Sequence, residues 1–245
     1  DWEAMVRALE RTRPMHPPGT TPCYHSITMG HLLGEVIRRI SGQGIGAFLA
    51  TNVTNPLGLD YHFGLRDEDL PRCADFLEDE GQGLAHYLLA NPDSLPARTF
   101  GPIAVDENFN SLEWRQSEVP SANGHGNARA LAKLYGALAL GGELDGVRII
   151  GRETLLRASA EQWEAPDLAT GLRMRLGLGF RLGSADTPMG PNRAAFGSTG
   201  AGGAISFCDM DAGIGFGYAM NAKYPGLAVG PRTAALVDAL YDCEF

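Results

Sequence analysis

Apolar residues recur every three to four positions through much of the first 165 residues, a spacing typical of helices that bury one face. This spacing predicts helices over Trp2–Arg11, from Thr28 to Gly42, from Asn127 to Leu140 and from Gly151 to Trp163. Prolines and glycines stand between these segments, as expected for the ends of helices. The first part of the chain is therefore predicted to be mainly helical.

The second of these helices has a clear apolar stripe. Its apolar positions are Leu32, Leu33, Val36, Ile37 and Ile40. Ser26 or Thr28 is predicted to cap its start, and Gly42 is predicted to end it, since hydroxyl side chains favour N-caps and glycine favours the end of a helix. A short helix from Ile45 to Val53 and a strand at YHFGL are predicted next.

From Leu176 the pattern changes to short Gly-rich apolar runs, which read LGLGFRL, AFGSTG, AISFCD and GIGFGYAMN. Runs of this length predict antiparallel strands, with DMDAG as a hairpin loop between the last two. Pro231 in a first turn predicts a C-terminal helix. Strands followed by a packing helix indicate an α+β fold. The acidic, Pro-rich stretch from Arg66 to Gly126 predicts a long surface excursion.

Charge and composition exclude several classes of partner. The 29 acidic and 20 basic residues give a net charge of −9 and a pI near 5.1, which would repel nucleic acid. No apolar run approaches the roughly 20 residues that span a bilayer, and no secretory leader opens the sequence. The four cysteines, Cys23, Cys73, Cys208 and Cys243, lack close spacing. This favours reduced thiols and a cytoplasmic location, without membrane or nucleic-acid binding.

Sequence motifs with strict spacing are absent. There is no HExxH or CxxC pair for a metal, no GxxxxGK[ST] or complete GxGxxG for a phosphate, and no GxSxG hydrolase elbow. The histidines show no ligand spacing. The sequence therefore predicts neither a metal nor a cofactor.

Two polar clusters remain as candidate chemistry. Tyr24, His25 and Ser26 directly precede the second helix, where the positive end of the helix dipole favours a tyrosine acting as a base. Ser198 and Thr199 lie among small residues in AFGSTGAGG, where a ligand can approach the backbone amides. Each cluster also has a structural interpretation: a turn tyrosine followed by a cap, and a tight strand bend.

Four segments together resemble one family, the serine hydrolases that share the fold of penicillin-binding proteins and class C β-lactamases, including related esterases. In order, they are PGTTPCYHSITMGHLLGEVIRRISG, NPLGLDYHFGL, WRQSEVPSANGHGNARALAKLYGALALGGEL and FGSTGAGGAISFCDMDAGIGFGYAMN. The resemblance implies a β-lactamase/transpeptidase-like α+β fold, an antiparallel sheet flanked by helices and incomplete on its N-terminal side. Residues 1–245 would form the C-terminal portion of one domain, with a helical part over about 1–165 and the sheet and last helix over about 170–245.

The resemblance also implies roles for individual residues. In the family, a serine in an SxxK motif attacks the acyl carbonyl while the lysine and a motif tyrosine exchange its proton, and the acyl-enzyme is then hydrolysed. Tyr24 matches that tyrosine. Ser198, Thr199 and Gly200 match the third motif, and the backbone amide of Ala201 would supply half of the oxyanion hole.

Two departures from the family pattern bear on the substrate. Ser26, preceded by His25, stands where the family often carries asparagine, a variant that resembles esterase-like members. Ser198 replaces the lysine or histidine that heads the third motif, which removes a charge able to pair with a substrate carboxylate. We therefore expect His25, Ser26, Ser198, Thr199 and Gly200 to bind a small neutral ester or amide.

The SxxK motif itself is missing. Lys133 follows Ala130 by three places and Lys223 follows Met220, so neither lysine completes the motif. The expected partner is an N-terminal segment of the same precursor that carries SxxK, either as a separate chain or as residues not included in the sequence. Without it, we expect apolar sheet and helix surface to be exposed.

Two classes of function stay open. In the first, the protein is an esterase-like serine hydrolase completed by that segment; a β-lactamase or D-amino-acid peptidase is a variant of this class. In the second, it is a noncatalytic binding or scaffold protein that retains the pocket. Trp114, Asn123 and His125 lie in a loop that the family places near the pocket mouth, and we interpret them as structural.

Overall fold

The fold combines helices with one large antiparallel sheet, which confirms the predicted α+β class. The computed structural model describes residues 1–77, 91–104, 108–224 and 229–243. Within them the helices are α1 (Trp2–Arg11), α2 (Thr28–Ser41), α3 (Ile45–Leu49), α4 (Asn55–Leu57), α5 (Leu95–Ala104), α6 (Leu112–Gln116), α7 (Ala128–Ala139), α8 (Arg152–Ser159) and α9 (Pro231–Tyr241). A π-helical turn, Ala50–Thr54, joins α3 to α4, and Leu70–Arg72 forms a 3₁₀ turn.

The large sheet has six strands in the order β10-β9-β8-β7-β6-β5, all antiparallel. Its strands are β5 (Trp163–Pro166), β6 (Arg173–Leu176), β7 (Arg181–Leu182), β8 (Phe196–Thr199), β9 (Ile205–Asp209) and β10 (Ile214–Tyr218). Two small two-stranded antiparallel sheets pair β1 (Tyr61–Phe63) with β2 (Gly124–Gly126) and β3 (Glu143–Leu144) with β4 (Val147–Arg148). The predicted strand at YHFGL is therefore confirmed, with a partner 63 residues away at its centre, His62 to His125.

Helices cover both faces of the sheet. On one face, Tyr135 and Leu138 of α7 pack with Phe196 and Cys208. On the other face, Val237 of α9 packs in a second buried cluster, whose sheet residues are Ala195, Ile205 and Phe207. Since alternate residues of a strand point to opposite faces, β8 and β9 build both halves of the core.

Glycines allow α7 to lie directly against β10. A Cβ added at Gly215 would stand 2.1 Å from the amide nitrogen of Gly136, and one at Gly217 would stand 2.6 Å from the carbonyl oxygen of Ala128. Side chains at these strand positions would therefore push the helix away from the sheet.

Two sequence predictions about this region are wrong in detail. The helix predicted from Gly151 to Trp163 ends at Ser159, and Trp163 instead begins β5, opposite Leu176. The run from Leu176 to Leu182 is two strands, because the amide of Gly177 donates to the carbonyl of Phe180 and closes a turn. Gly179 has a positive φ of 91°, a conformation that favours glycine.

Helix α2 packs through its polar and small residues. Gly34 lies against the Trp2 ring of α1, and the Trp2 indole donates to Glu35 at 2.9 Å. Arg38 and Arg39 also donate to Glu35. The hydrogen bonds from Arg38, Trp2 and Arg39, with the largest effect from Arg38, lower the pKa of the Glu35 carboxyl to about 2. The inner face of α2 is thus built from glycine, histidine and an ionised carboxylate.

The apolar stripe of α2 faces solvent in this chain. Leu33 is 54% exposed, Val36 is 53% exposed and Ile40 is 82% exposed, and Leu32 is also exposed. The expectation that an apolar helix surface lies uncovered is met at this stripe.

The excursion from Arg66 to Gly126 contains more regular structure than predicted, namely α5, α6 and β2. Its described parts are tied to the fold: the Leu77 amide donates to the carbonyl of Asn221, and the Asn110 side chain pairs with the backbone of Phe76. Residues 78–90 and 105–107 of the excursion lie outside the described residues. The four cysteines are free thiols, and Cys208 is buried in the core.

Candidate active site

Tyr24 lies in the irregular segment before α2, which packs on a small apolar cluster. The buried members of this cluster are Ala97, Phe100 and Ala169. The Tyr24 and Phe100 rings stack with centroids 6.0 Å apart and planes at 29°. The segment is held on its other side because the Leu168 amide donates to the carbonyl of Pro22 at 3.3 Å. Among the described residues, nothing hydrogen-bonds to the Tyr24 hydroxyl, which leaves it available to a ligand.

The start of α2 is held by a residue distant in sequence. Ile27 occupies the N-cap position and makes no side-chain cap, so the predicted capping by Ser26 or Thr28 is wrong. Instead the Ser121 hydroxyl donates to the carbonyl of Ile27 at 2.9 Å and accepts from the amide of Gly30 at 3.2 Å. A Cβ at position 30 would stand 2.6 Å from the Ser121 amide nitrogen, so this approach needs glycine.

His25 and Ser26 follow Tyr24 at the surface end of this segment. His25 is exposed, and its Nδ1 lies 2.7 Å from the Thr28 hydroxyl. Thr28 is the first residue of α2, one position after the N-cap, and its hydroxyl bonds the His25 imidazole. Ser26 is half-buried and makes no side-chain hydrogen bond to a described residue.

The second cluster lies at the end of β8 and in the turn that follows. Ser198 stands opposite Ser206 and Thr199 stands opposite Ile205. The Gly200 amide donates to the carbonyl of Ala204 at 2.9 Å, so residues 200–204 form a tight turn. Ser198, Gly200 and Ala201 are exposed, and Thr199 is half-buried.

The turn is anchored from below by α9. The Thr233 hydroxyl donates to the carbonyl of Gly203 at 2.7 Å, and the Tyr224 amide donates to the carbonyl of Gly202 at 2.9 Å. Gly202 and Gly203 have positive φ values of 86° and 103°. The Ala201 amide, in contrast, finds no acceptor in the part of the chain that the structure describes. A backbone amide without an acceptor on an exposed turn residue can donate a hydrogen bond to a bound oxyanion.

Arg181 lies between the Tyr24 cluster and the Ser198 cluster, and it was not among the site residues predicted from the sequence. Arg181 on β7 is directly opposite Gly197, the residue before Ser198. Its guanidinium carbon lies 5.5 Å from the centroid of the Tyr24 ring, within the range of a cation–π contact. The one basic residue in the apolar run LGLGFRL was the available sequence signal.

The loop with Trp114 and Asn123 is held by backbone contacts. The Asn123 amide group donates to the carbonyls of Trp114 and Ser117, and its oxygen accepts from the Val119 amide. These bonds support the structural interpretation of Asn123 and Trp114. His125 on β2 is half-buried; burial lowers the pKa of its imidazole, and its Nδ1 has no partner among the described residues.

Two other kinds of functional feature are absent from the described residues. No group of three or more His, Cys, Asp or Glu side chains there could hold a metal ion. None of the helices in this part of the chain is long and apolar enough to cross a membrane.

Comparisons with known proteins agree with this architecture. The sequence profile of the family described as Beta-lactamase matches residues 1–240. The chain is 30% identical over 208 residues to the Esterase/beta-lactamase LipL of Mycobacterium tuberculosis (strain ATCC 25618 / H37Rv), an alignment that covers 81% of this chain and 48% of LipL.

Solved structures match over nearly the whole chain. A novel penicillin-binding protein homologue from Caulobacter crescentus has 36% identity and a TM-score of 0.86, covering 99% of this chain and 64% of that one. A family VIII carboxylesterase has 37% identity and a TM-score of 0.83, covering 100% of this chain and 64% of that one. The chain therefore spans about half the length of LipL and less than two thirds of these two structures.

Proposed function

The chain belongs to the Beta-lactamase family, and from that premise we propose that it carries the tyrosine and the oxyanion turn of an esterase-like serine hydrolase. The enzyme would cleave esters or amides through an acyl-enzyme. The observation that carries the proposal is the Ala201 amide, an exposed donor without an acceptor among the described residues, at the position that follows Ser198, Thr199 and Gly200.

In this proposal Tyr24 exchanges the proton of the nucleophilic serine, and its free hydroxyl is available for that role. The Ala201 amide holds the negative charge that develops on the carbonyl oxygen. Losing one such donor costs about 3 to 4 kcal/mol of transition-state stabilisation in enzymes of this kind. His25, Ser26, Ser198, Thr199 and Gly200 would contact the substrate.

The substrate class follows from charge at the third motif. Ser198 carries no charge, so it offers no ion pair to a carboxylate, and we expect neutral esters or amides to react best. The names of two similar proteins, an esterase/β-lactamase and a carboxylesterase, support ester hydrolysis.

We propose that the nucleophilic serine and lysine come from an N-terminal segment that carries SxxK. The exposed apolar stripe of α2 supports this partner, because solvent-facing Leu33, Val36 and Ile40 would be stabilised by burial. The outer edge of β10 also supports it, since this edge has no strand partner among the described residues. In this proposal, both surfaces belong to the interface with that segment.

The test is labelling of the purified protein with a fluorophosphonate, followed by intact-mass measurement under denaturing conditions. We expect the label on a serine in an SxxK motif, either in a companion polypeptide or in an extension of this chain. Absence of label on every species in the preparation would contradict the enzyme and favour a noncatalytic binding protein.

A substitution then tests the role of Tyr24 in that active material. Tyr24→Phe should lower kcat/KM for a simple aryl ester by about 10²- to 10⁴-fold, the usual contribution of a general base. The matched control is Tyr218→Phe on β10, whose hydroxyl makes no hydrogen bond to a described residue, and this variant should keep its activity. Equal activity of the two variants would remove Tyr24 from the mechanism.

A further inference from the structure

Positive charge at the candidate site is missing from the position where the family carries it. Ser198 heads the third motif in place of lysine or histidine, and it is exposed at the end of β8. Neither lysine of the chain replaces it at this position: Lys133 lies on α7, and Lys223 packs beside Gly202 in the turn that follows the motif. A tyrosine that acts as a base needs a neighbouring positive charge to favour its anionic form.

A buried anion, Asp167, lies near Cys23, the residue before Tyr24. Asp167 is buried beside the cluster, and its carboxylate accepts hydrogen bonds from the amides of Ala169 and Thr170. The pKa of the neighbouring Cys23 thiol is raised, first by burial of the thiol and second by the negative charge of Asp167.

Arg181 is the cation that contacts the Tyr24 ring. Its guanidinium carbon lies 5.5 Å from the ring centroid, and no carboxylate in the described part of the chain pairs with it. The other charged groups on neighbouring elements are placed differently. His25 is exposed and bonds Thr28, and Arg98 on α5 is exposed.

The backbone of β7 fixes the position of this cation. Arg181 pairs with Gly197 on β8, and its neighbour Leu182 is buried opposite Phe196. Arg181 thus joins Tyr24 to β8, the strand that carries Ser198. Because a guanidinium stays protonated at every physiological pH, its charge would be constant while the Tyr24 proton is exchanged.

We propose that Arg181 is a positioning residue that holds the Tyr24 ring and supplies the positive charge that Ser198 does not. This inference rests on the proposed role of Tyr24 as a base. When the phenol loses its proton, the guanidinium stays protonated and offsets the new negative charge.

The experiment is a pH titration of the protein labelled with ¹³Cζ-tyrosine, followed by NMR. Tyr24→Phe identifies the Tyr24 signal among the seven tyrosines. Arg181→Gln should raise the pH at which Tyr24 loses its proton by about half to one pH unit, the size of one screened charge at this distance. Arg181→Lys should recover part of the difference, since it keeps the charge.

Two controls separate this effect from a structural one. Arg173→Gln on β6 removes an exposed arginine that pairs with Glu164 and should leave the Tyr24 titration unchanged. Arg181→Gln/Ser198→Lys should move it back toward that of the unsubstituted protein, because the cation returns on the adjacent strand. If Arg181→Gln fails to fold, Arg181→Met replaces it with the same expected shift.

An unchanged Tyr24 titration in Arg181→Gln, or equal titrations in the Gln and Lys variants, would overturn the inference. The readout needs no nucleophile. A protein that shows the expected shift but no fluorophosphonate labelling would therefore contradict the proposed hydrolase and leave the Arg181 contact established.

Discussion

Helices α2 and α7 share an apolar spacing in the sequence and have opposite surroundings in the fold. Helix α7 turns its apolar side to the sheet, where Tyr135 and Leu138 are buried. Helix α2 turns Gly34 and Glu35 to α1 and leaves Leu33 facing solvent. Periodicity therefore identifies a helix and its apolar stripe but does not say what covers that stripe.

The two apolar stripes differ in the burial energy that the rest of the chain provides. An apolar stripe is normally buried because each Å² removed from water contributes about 25 cal/mol. In α7 that gain comes from the sheet, which approaches closely through Gly215 and Gly217. In α2 the stripe remains available, which supports our proposal of a further segment at this surface.

The largest expected effects compare one leucine from each helix. Leu138→Ala in α7 removes a side chain that is 7% exposed, and the cavity should lower the free energy of unfolding by about 2 to 5 kcal/mol. Leu33→Ala in α2 should change it by less than about 0.5 kcal/mol. Urea unfolding of both variants, monitored by circular dichroism, measures the two values.

The proposed N-terminal segment changes the result expected for Leu33. In material that contains the SxxK-bearing segment, Leu33→Ala should become destabilising or should weaken association of the segment. If Leu33→Ala lowered the free energy of unfolding of this chain alone as much as Leu138→Ala does, α2 would already be covered. If Leu33→Ala were neutral both with and without the segment, α2 would not belong to the interface.

The glycines after the two helices give the next contrast. Gly142 has a φ of 96°, and an added Cβ would stand 2.2 Å from the carbonyl oxygen of Ile150. Gly142→Ala should therefore cost about 2 to 5 kcal/mol through backbone strain and a clash. Gly42 has a φ of 72° with open space around its Cβ position, so Gly42→Ala should cost only about 1 to 2 kcal/mol.

Thermal unfolding of the two alanine variants under one buffer condition measures this difference. Gly136→Ala serves as a control, because the Cβ added there meets open space within a helix and should be neutral or slightly stabilising. Equal losses for the Gly42 and Gly142 variants would show that backbone strain alone decides both.

The smallest effect concerns the polar face of α2 and depends on pH. Arg38, Trp2 and Arg39 lower the pKa of Glu35 to about 2, below the usual value of 4.5. A lowered pKa in the folded state contributes stability that is present above about pH 4.5 and is lost as pH falls toward 2. Glu35→Gln should therefore be less stable at pH 7, and the difference should shrink below pH 4.5.

Denaturant unfolding measured at steps of about one pH unit between pH 3 and pH 7 checks this prediction. Glu3→Gln is the matched control, because Glu3 is an exposed partner of Arg7 and Arg38 and should show little pH-dependent difference. A difference between Glu35→Gln and the unsubstituted protein that grows on acidification would have the wrong sign.

Short-range sequence signals correctly predicted several helix ends and one hairpin loop. Gly42 ends α2 in the left-handed conformation, Asn127 caps α7 through its side chain, and Pro231 starts α9, as predicted. The DMDAG loop closes β9 to β10, with the Asp209 carboxylate accepting from the Asp211 and Ala212 amides. Each of these features depends on residues within a few positions of one another.

The errors have a different origin. The helix predicted to reach Trp163 stops at Ser159, because Trp163 pairs with Leu176 in the sheet. The N-terminus of α2 is held by Ser121 instead of a neighbouring hydroxyl. Both outcomes come from partners far along the chain, which short-range patterns do not contain.

Residue types in a fixed order were enough to indicate the family, most of the helices and strands, and the two candidate motifs around Tyr24 and Ser198. The tertiary structure was needed to show that Arg181 lies over the Tyr24 ring and that the apolar stripe of α2 faces solvent. The physical reason is that hydrophobic burial and charge contacts depend on which distant segments meet, whereas turns, caps and periodicity depend on neighbours.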